Sequence, residues 1–343
     1  MFAADTKSPV IDPDDDQPWV YPFHLHDDWS ASSDGRLGAC PVPVGDSTIC
    51  LMVTASASRR VPWLSRSNQS RRDCAARGMS EWAWRDAMPG GLGGGRDTPG
   101  MVIFDDLQAE QDRLENILGG LDEAQWAFPS GAPGWTVVDV VLHLAQTEEA
   151  VAASVAGLSP AVRTVSGPTL DQVMDQLVQA GRAAPASAFQ RWREARLAAV
   201  TALRAADPKR FLQWVEAPLK PATLATTRLA EHWAHGLDIT GPLGIGFADT
   251  ARLSHIAWLA HRSLPYALVL AGERPQEVFC ELTAPDGMAR WRYGPPGADS
   301  VITGPAGAFC RVAAHRLAPG KSGLRATGPH GTAALHALRT YAA

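Results

Sequence analysis

The chain reads as mainly α-helical: an up-and-down four-helix bundle followed by a small α+β domain. Three observations predict this. Apolar residues recur at three- to four-residue steps through several long segments from Phe104 onward, short loops join those segments, and past Gly272 the texture shifts to alternation around a Pro-Asp-Gly turn. Long helices with short connections pack into bundles, whereas a βαβ fold would interleave them with strands.

The 343 residues exceed what one ordinary domain needs. Residues 1–101 differ from the rest. Pro, Gly, Ser and Asp are scattered there without a period, and GGLGGGRDTPG at 90–100 reads as a flexible linker. A disordered or irregular extension is expected, with Met101 a candidate start. The isolated pair His24 and His26 lacks the further ligands a metal site needs. The bundle is then expected over 102–272 and the α+β domain over 273–343.

The first bundle helix takes Phe104, Leu107, Leu114 and Leu118 on one side, with Asp105 and Asp106 in its first turn and Gly119-Gly120 as a stop. A short element spans 122–126. Thr136 is a good N-cap for a buried helix carrying Val137, Val140, Val141, Leu144 and Val151. A third helix is predicted over 169–180, a fourth over 187–206 closed by Asp207-Pro208, a fifth over 223–238 before Gly-Pro-Leu-Gly, and a sixth over 250–270. Segments 277–282 and 289–293 alternate about Pro285-Asp286-Gly287 and read as a β-hairpin. Gly304-Pro305-Ala306 opens a helix to about Arg316, and a last helix covers 330–341.

Composition excludes several function classes. A net charge of −5 and a pI of 6.1 offer no basic field for a phosphate backbone, so no nucleic-acid partner is expected. No window approaches 18 consecutive apolar residues, and the N-terminus lacks a basic region followed by an apolar stretch. Neither a membrane span nor a signal peptide is expected, and the cytoplasm is the default location. Five cysteines without CxxC spacing suit reduced thiols.

Chemistry concentrates on two helices. His143 lies in the buried second helix, where a lone histidine is more often a satisfied core residue. On the fifth helix Glu231 and His235, four apart, share a face, while His232 points elsewhere. That pair alone reads equally well as a solvated i,i+4 contact. Taken together, a histidine on one bundle helix and E-x-x-x-H on another favour a metal site, because bundles build such sites from inward-facing side chains. Two imidazoles and a carboxylate suit Zn²⁺ with a fourth position open, and Ni²⁺ or Fe²⁺ are compatible by ligand type. H-E-x-x-H is absent, so the metalloprotease arrangement does not apply.

Gly134-Trp135-Thr136-Val137-Val138-Asp139-Val140-Val141-Leu142-His143-Leu144-Ala145 resembles the G-W-S/T-x-x-D-v-x-x-H-l-a signature of the DinB-like, mycothiol-dependent maleylpyruvate isomerase superfamily. Arg228-Leu229-Ala230-Glu231-His232-Trp233-Ala234-His235-Gly236-Leu237-Asp238 resembles its second motif, R-x-x-E-x-W-x-H-x-x-D. The resemblance covers 102–343 and is nearest to an actinobacterial subgroup of uncharacterised metal-binding proteins. Ala284-Pro285-Asp286-Gly287 and Thr303-Gly304-Pro305-Ala306 are similar to the superfamily's sterol-carrier-like domain.

The resemblance implies a DinB-like bundle with His143, Glu231 and His235 as ligands of Zn²⁺ or another divalent metal. It also implies mycothiol or a similar low-molecular-weight thiol as cosubstrate, and a small-molecule substrate. The expected activity is a thiol-dependent transferase or isomerase, as a monomer or homodimer. The isomerase uses a basic residue of its C-terminal domain near the substrate carboxylates. Arg290 and Arg292 are the local candidates, although their alternation equally fits a solvent face. Asp139 and Asp238 are candidates to fix the imidazole tautomers, and Trp135 and Trp233 read as core packing. Glu148 and Glu149 are expected at the pocket rim, which disfavours a dianionic substrate. Two alternatives stay open: a non-catalytic small-molecule binding protein with a structural metal, and a thiol-independent zinc hydrolase or lyase.

Overall fold

The computed structural model describes residues 99–158, 169–215 and 217–340, so the expected N-terminal extension lies outside the described residues up to position 98. Four long helices form the bundle: α1 (Pro99–Leu118), α3 (Val137–Val155), α5 (Pro185–Ala205) and α6 (Pro221–Thr240). Between them lie α2 (Glu123–Trp126), with a capping box from Asp122 and Gln125, and α4 (Leu170–Gly181), capped by Thr169.

The packing follows the apolar stripes. α3 lies most extensively against α5, and α1 against α6, whereas α1 touches its sequence neighbour α3 only weakly. The shared core holds Leu114, Leu118, Val137, Val140, Val141, Leu144, Trp192 and Ile239, all nearly inaccessible. α6 is buried along almost its whole length, from Thr223 to Thr240. A helix with no solvent face can carry polar side chains only if they find partners inside, which makes its Arg228, Glu231, His232, His235 and Asp238 informative.

Where one helix over 250–270 is expected, the chain forms two, α7 (Leu253–Arg262) and α8 (Leu264–Leu270). Pro265 explains the break: it has no N–H for the carbonyl four residues earlier, and its ring collides with that carbonyl, so a new helix starts with proline in its first turn.

The C-terminal sheet has the order β2-β1-β3-β4, from β1 (Val278–Thr283), β2 (Arg290–Tyr293), β3 (Ser300–Pro305) and β4 (Arg325–Thr327). β1 and β2 form the antiparallel hairpin with Cys280 opposite Tyr293. β1 and β3 are parallel, and β3 and β4 antiparallel. Strands β3 and β4 carry too short an alternation to stand out in sequence. The sheet's inner face presents Val278, Cys280, Leu282 and Ile302 to helices α9 (Ala306–Ala313) and α10 (Gly331–Ala337), while Tyr293 of β2 meets α7. α7 packs on both α6 and α9, so it joins the bundle to the sheet layer. The bidentate pair Arg311–Asp249 pins α9 to the loop before α7 at 2.8 Å. Among the described residues Cys280 and Cys310 are free, and no helix is long and apolar enough to cross a membrane.

Candidate metal centre

Two rigid rods position the centre. α3 begins at Thr136, and the Asp139 carboxylate accepts both the Thr136 backbone N–H at 3.0 Å and its hydroxyl at 2.9 Å, which stops the first turn fraying. One turn further on, His143 faces the interior, only 6% exposed. α6 supplies Glu231 and His235 from one face, as a four-residue spacing requires. Both imidazoles aim Nε2 at the same carboxylate oxygen: Glu231 Oε2 lies 3.7 Å from His143 and 3.4 Å from His235. One donor atom from each of the three lies within 4.8 Å of the others, the one such group among the described residues.

These separations test whether a metal fits. Two ligands each about 2.1 Å from a tetrahedral ion lie about 3.4 Å apart. The two Glu231–imidazole distances match that edge, and they are too long for strong hydrogen bonds. The donor set of two neutral nitrogens and one carboxylate is also that of open zinc sites. The Glu231 side chain keeps 29% of its exposure, so solvent reaches the cluster from its side.

The electrostatics suit ligation. Burial pushes the His143 imidazole down to about 4, leaving it neutral with its lone pair available. Burial also opposes charge on Glu231, but the two imidazoles outweigh it and hold that carboxyl well below its usual range. His235 is held upward against the effect of burial by Asp238 and Glu231.

Asp238 is the hub around His235. Its Oδ2 accepts from His235 Nδ1 at 2.9 Å, and Arg316 donates to both of its oxygens at 2.6 Å. Arg316 comes from the C-terminal domain, just past α9. There His315 adopts a left-handed φ of 58° while the Arg316 amide donates back to Arg311 O, a turn that swings the guanidinium toward the bundle. Gly131 presses against the same carboxylate, where an added Cβ would sit 3.0 Å from Asp238 Oδ1. A cavity of about 370 Å³ beside Asp238 is lined by Gly131, Leu237, Arg311, His315 and Arg316.

Several other residues fall elsewhere than their sequence positions suggest. Asp139 does not serve His143, because its carboxylate is taken up by the α3 cap and by Arg182 at 3.0 and 3.2 Å; His143 Nδ1 is buried with no hydrogen-bond partner. Arg290 and Arg292 stand on the outer face of edge strand β2, exposed, with Arg292 paired to Glu281 of the neighbouring strand at 2.7 Å; the pleat that buries Trp291 and Tyr293 turns them away. Neither joins the cluster. Glu148 and Glu149 do not rim a pocket: Glu148 is fully buried against Arg228 at 2.8 Å, and Glu149 forms a surface pair with Arg191. The expected handicap for an anionic substrate is therefore removed. His232 points away from the cluster, donating to Arg228 O at 2.8 Å and accepting from Trp192 Nε1 at 3.2 Å.

Sequence reasoning misses Arg316, Arg228 and Asp175. Arg228 also donates to Thr147 Oγ1 at 2.7 Å, and that hydroxyl donates to His143 O at 2.9 Å, so it braces α6 and α3, the two helices that carry the cluster. A buried arginine inside the second motif is the signal that could have found it. Trp135, read as core packing, does pack against the core and also lies against both imidazoles of the cluster, its ring centroid 5.1 Å from that of His143 and 6.4 Å from that of His235.

Comparison with known proteins places this geometry in context. Residues 107–240 match the family described as the mycothiol maleylpyruvate isomerase N-terminal domain. An uncharacterized protein of Mycobacterium tuberculosis, found in two strains, is 33% identical over 235 residues, covering 67% of this chain and 91% of the relative. The crystal structure of the mycothiol-dependent maleylpyruvate isomerase superposes with a TM-score of 0.48 at 15% identity, over 67% of this chain and 94% of that one; a mutant of the same enzyme gives 0.47.

Proposed function

Because the chain belongs to the mycothiol maleylpyruvate isomerase N-terminal domain family, we propose that it is a metal- and thiol-dependent transferase or isomerase. The observation that carries this reading is the convergence of His143, Glu231 and His235, with both Glu231–imidazole separations near the edge of a tetrahedral ion. These three residues would hold zinc or a similar divalent cation. Such an ion, when bound, supplies the Lewis acidity that keeps a coordinated thiol deprotonated at neutral pH.

The protein's own groups do the rest. His143, held neutral by burial, needs no deprotonation before it ligates. Asp238 fixes His235 with Nδ1–H as donor and Nε2 free, and Arg316 fixes Asp238. Arg311 and Arg316, paired to Asp249 and Asp238, give the cavity beside Asp238 a polar lining that suits a small-molecule substrate. A low-molecular-weight thiolate such as that of mycothiol adds to an activated alkene, forming one C–S bond as the alkene π bond breaks and its electron pair moves onto the activating group. Rotation about the resulting single bond and elimination, in which that pair re-forms the alkene and the C–S bond breaks, then return the thiolate and the isomerised alkene. With a leaving group on the attacked carbon, the thiolate displaces it and the product is a stable S-conjugate.

Metal analysis of the purified protein tests the site, and X-ray absorption during mycothiol titration tests the chemistry. Alanine at each of His143, Glu231 and His235 is expected to lower metal content sharply, and a metal–sulfur signal is expected to appear with thiol. Stoichiometric metal in all three variants would reject the site; no metal–sulfur signal at saturating thiol would reject the thiol mechanism.

A further inference from the structure

The two imidazoles of the centre are restrained in different ways. His235 donates from Nδ1 to Asp238, the usual device for fixing the plane and tautomer of a metal-binding histidine. His143 has nothing equivalent. Its Nδ1 is buried without a hydrogen-bond partner, and the nearest acid along its own helix, Asp139, is committed to the helix cap and to Arg182. The terminal torsion of a histidine is intrinsically broad, so an unrestrained ring would point Nε2 at a metal in only some of its orientations.

Trp135 packs against this ring. Its indole packs at 48° to the His143 plane and at 25° to that of His235, while the two imidazoles meet edge-on with centroids 4.9 Å apart. The three rings form one cluster, in which turning His143 requires moving the indole. The indole is itself anchored at both ends. Its Nε1–H donates to Asp175 Oδ1 on α4 at 2.7 Å, and its backbone carbonyl accepts from Ser130 N and Oγ, both at 2.9 Å. A half-buried acid on a helix that contributes no ligand thus fixes a ring that touches both ligand histidines.

We propose that Trp135, tethered by Asp175, is the positioning residue for His143: ring packing does for this ligand what the Asp238 hydrogen bond does for His235. The inference rests on the reading of His143, Glu231 and His235 as ligands of a divalent ion.

The test uses the full-length protein loaded with Zn²⁺, its affinity measured by competition with a chromophoric chelator, and with Co²⁺, whose visible absorption reports coordination geometry. Trp135→Ala is expected to weaken Zn²⁺ binding by about 10- to 100-fold, the range seen when a ligand's supporting contact is lost. It should also change the Co²⁺ band pattern. Trp135→Phe, which keeps a ring of similar shape, should recover most of the loss. Asp175→Ala, which removes only the tether, should fall between wild type and Trp135→Ala. Circular dichroism of the metal-free variants separates a folding defect from a site defect, and Asp175→Ala carries the test should Trp135→Ala fail to fold. If His143→Ala loses metal while Trp135→Ala and Asp175→Ala keep wild-type affinity and spectra, the positioning role is overturned and the metal reading stands. If His143→Ala binds Zn²⁺ as wild type does, the metal reading itself fails, and this inference with it.

Discussion

Arg228 and Glu148 show most directly what single residues contribute. Both are almost wholly buried and meet at 2.8 Å, so removing one leaves an uncompensated charge in the core. Arg228→Met is expected to destabilise the fold by about 3–5 kcal/mol, measurable by urea unfolding. Burial also sets a pH dependence. His143 and His232 are pushed down to about 4 and 3, whereas unfolded histidines take up protons near 6.5. The unfolded chain therefore binds two protons that the folded chain refuses, and stability falls as pH drops below 6.5. The slope from these two groups is about 3 kcal/mol per pH unit, until the folded histidines themselves protonate. His235, whose value is raised, contributes stability that is complete below 6.5 and is lost as pH rises through its folded value, so it does not oppose the trend in that window. A urea midpoint for the metal-free protein that stays constant from pH 6.5 to 4.5 would contradict this assignment. At this scale the legible part of the site is what periodicity decides: Glu231 and His235 share a face because they are four apart. Asp175 and Arg316 are illegible because each reaches its partner across tertiary space, with no local pattern to announce it.

Elements show the same division between local and non-local causes. Helices α2 to α6 start and stop within a few residues of where their caps and breakers place them, since Thr136, Thr169 and Asp122 act on their own first turns, whereas α1 starts at Pro99, so Asp105 and Asp106 lie beyond its first turn. The break at Pro265 was available in the sequence too, but an apolar stripe continuing through it masked the proline. Strands β3 and β4 were hidden because their residues become strand only by pairing with β1 and with one another. The short helix α4 deserves its place as a brace: it holds Trp135 through Asp175, its C-terminal neighbour Arg182 holds Asp139, and its Leu177 carbonyl accepts from Gln146 of α3. Asp139→Ala is accordingly expected to cost about 1–2 kcal/mol of stability through the lost cap, while metal affinity stays near wild type. A large loss of affinity in a fully folded Asp139→Ala protein would return that residue to the metal centre.

Across the whole molecule, a mainly helical bundle followed by a smaller α+β unit is legible from composition and period. How the two meet is not, because no sequence pattern states which side chain crosses the seam. Arg316 crosses it, as Arg311 does, and its bond to Asp238 makes the C-terminal sheet layer a participant in orienting His235. Arg316→Ala is expected to weaken metal binding by about 10- to 100-fold, whereas Arg292→Ala, on the outer sheet face, should leave it unchanged. Chelator competition on the two variants decides between the two sides of the domain.

The two buried ion pairs also fix how much charge the pocket can accept. Arg228 cancels Glu148 and Arg316 cancels Asp238, so Glu231 is left as the single uncompensated charge at the point where the donors converge. On the proposed reading, a bound divalent cation would turn that remainder of minus one into plus one, a charge that a single thiolate would neutralise where the donors converge.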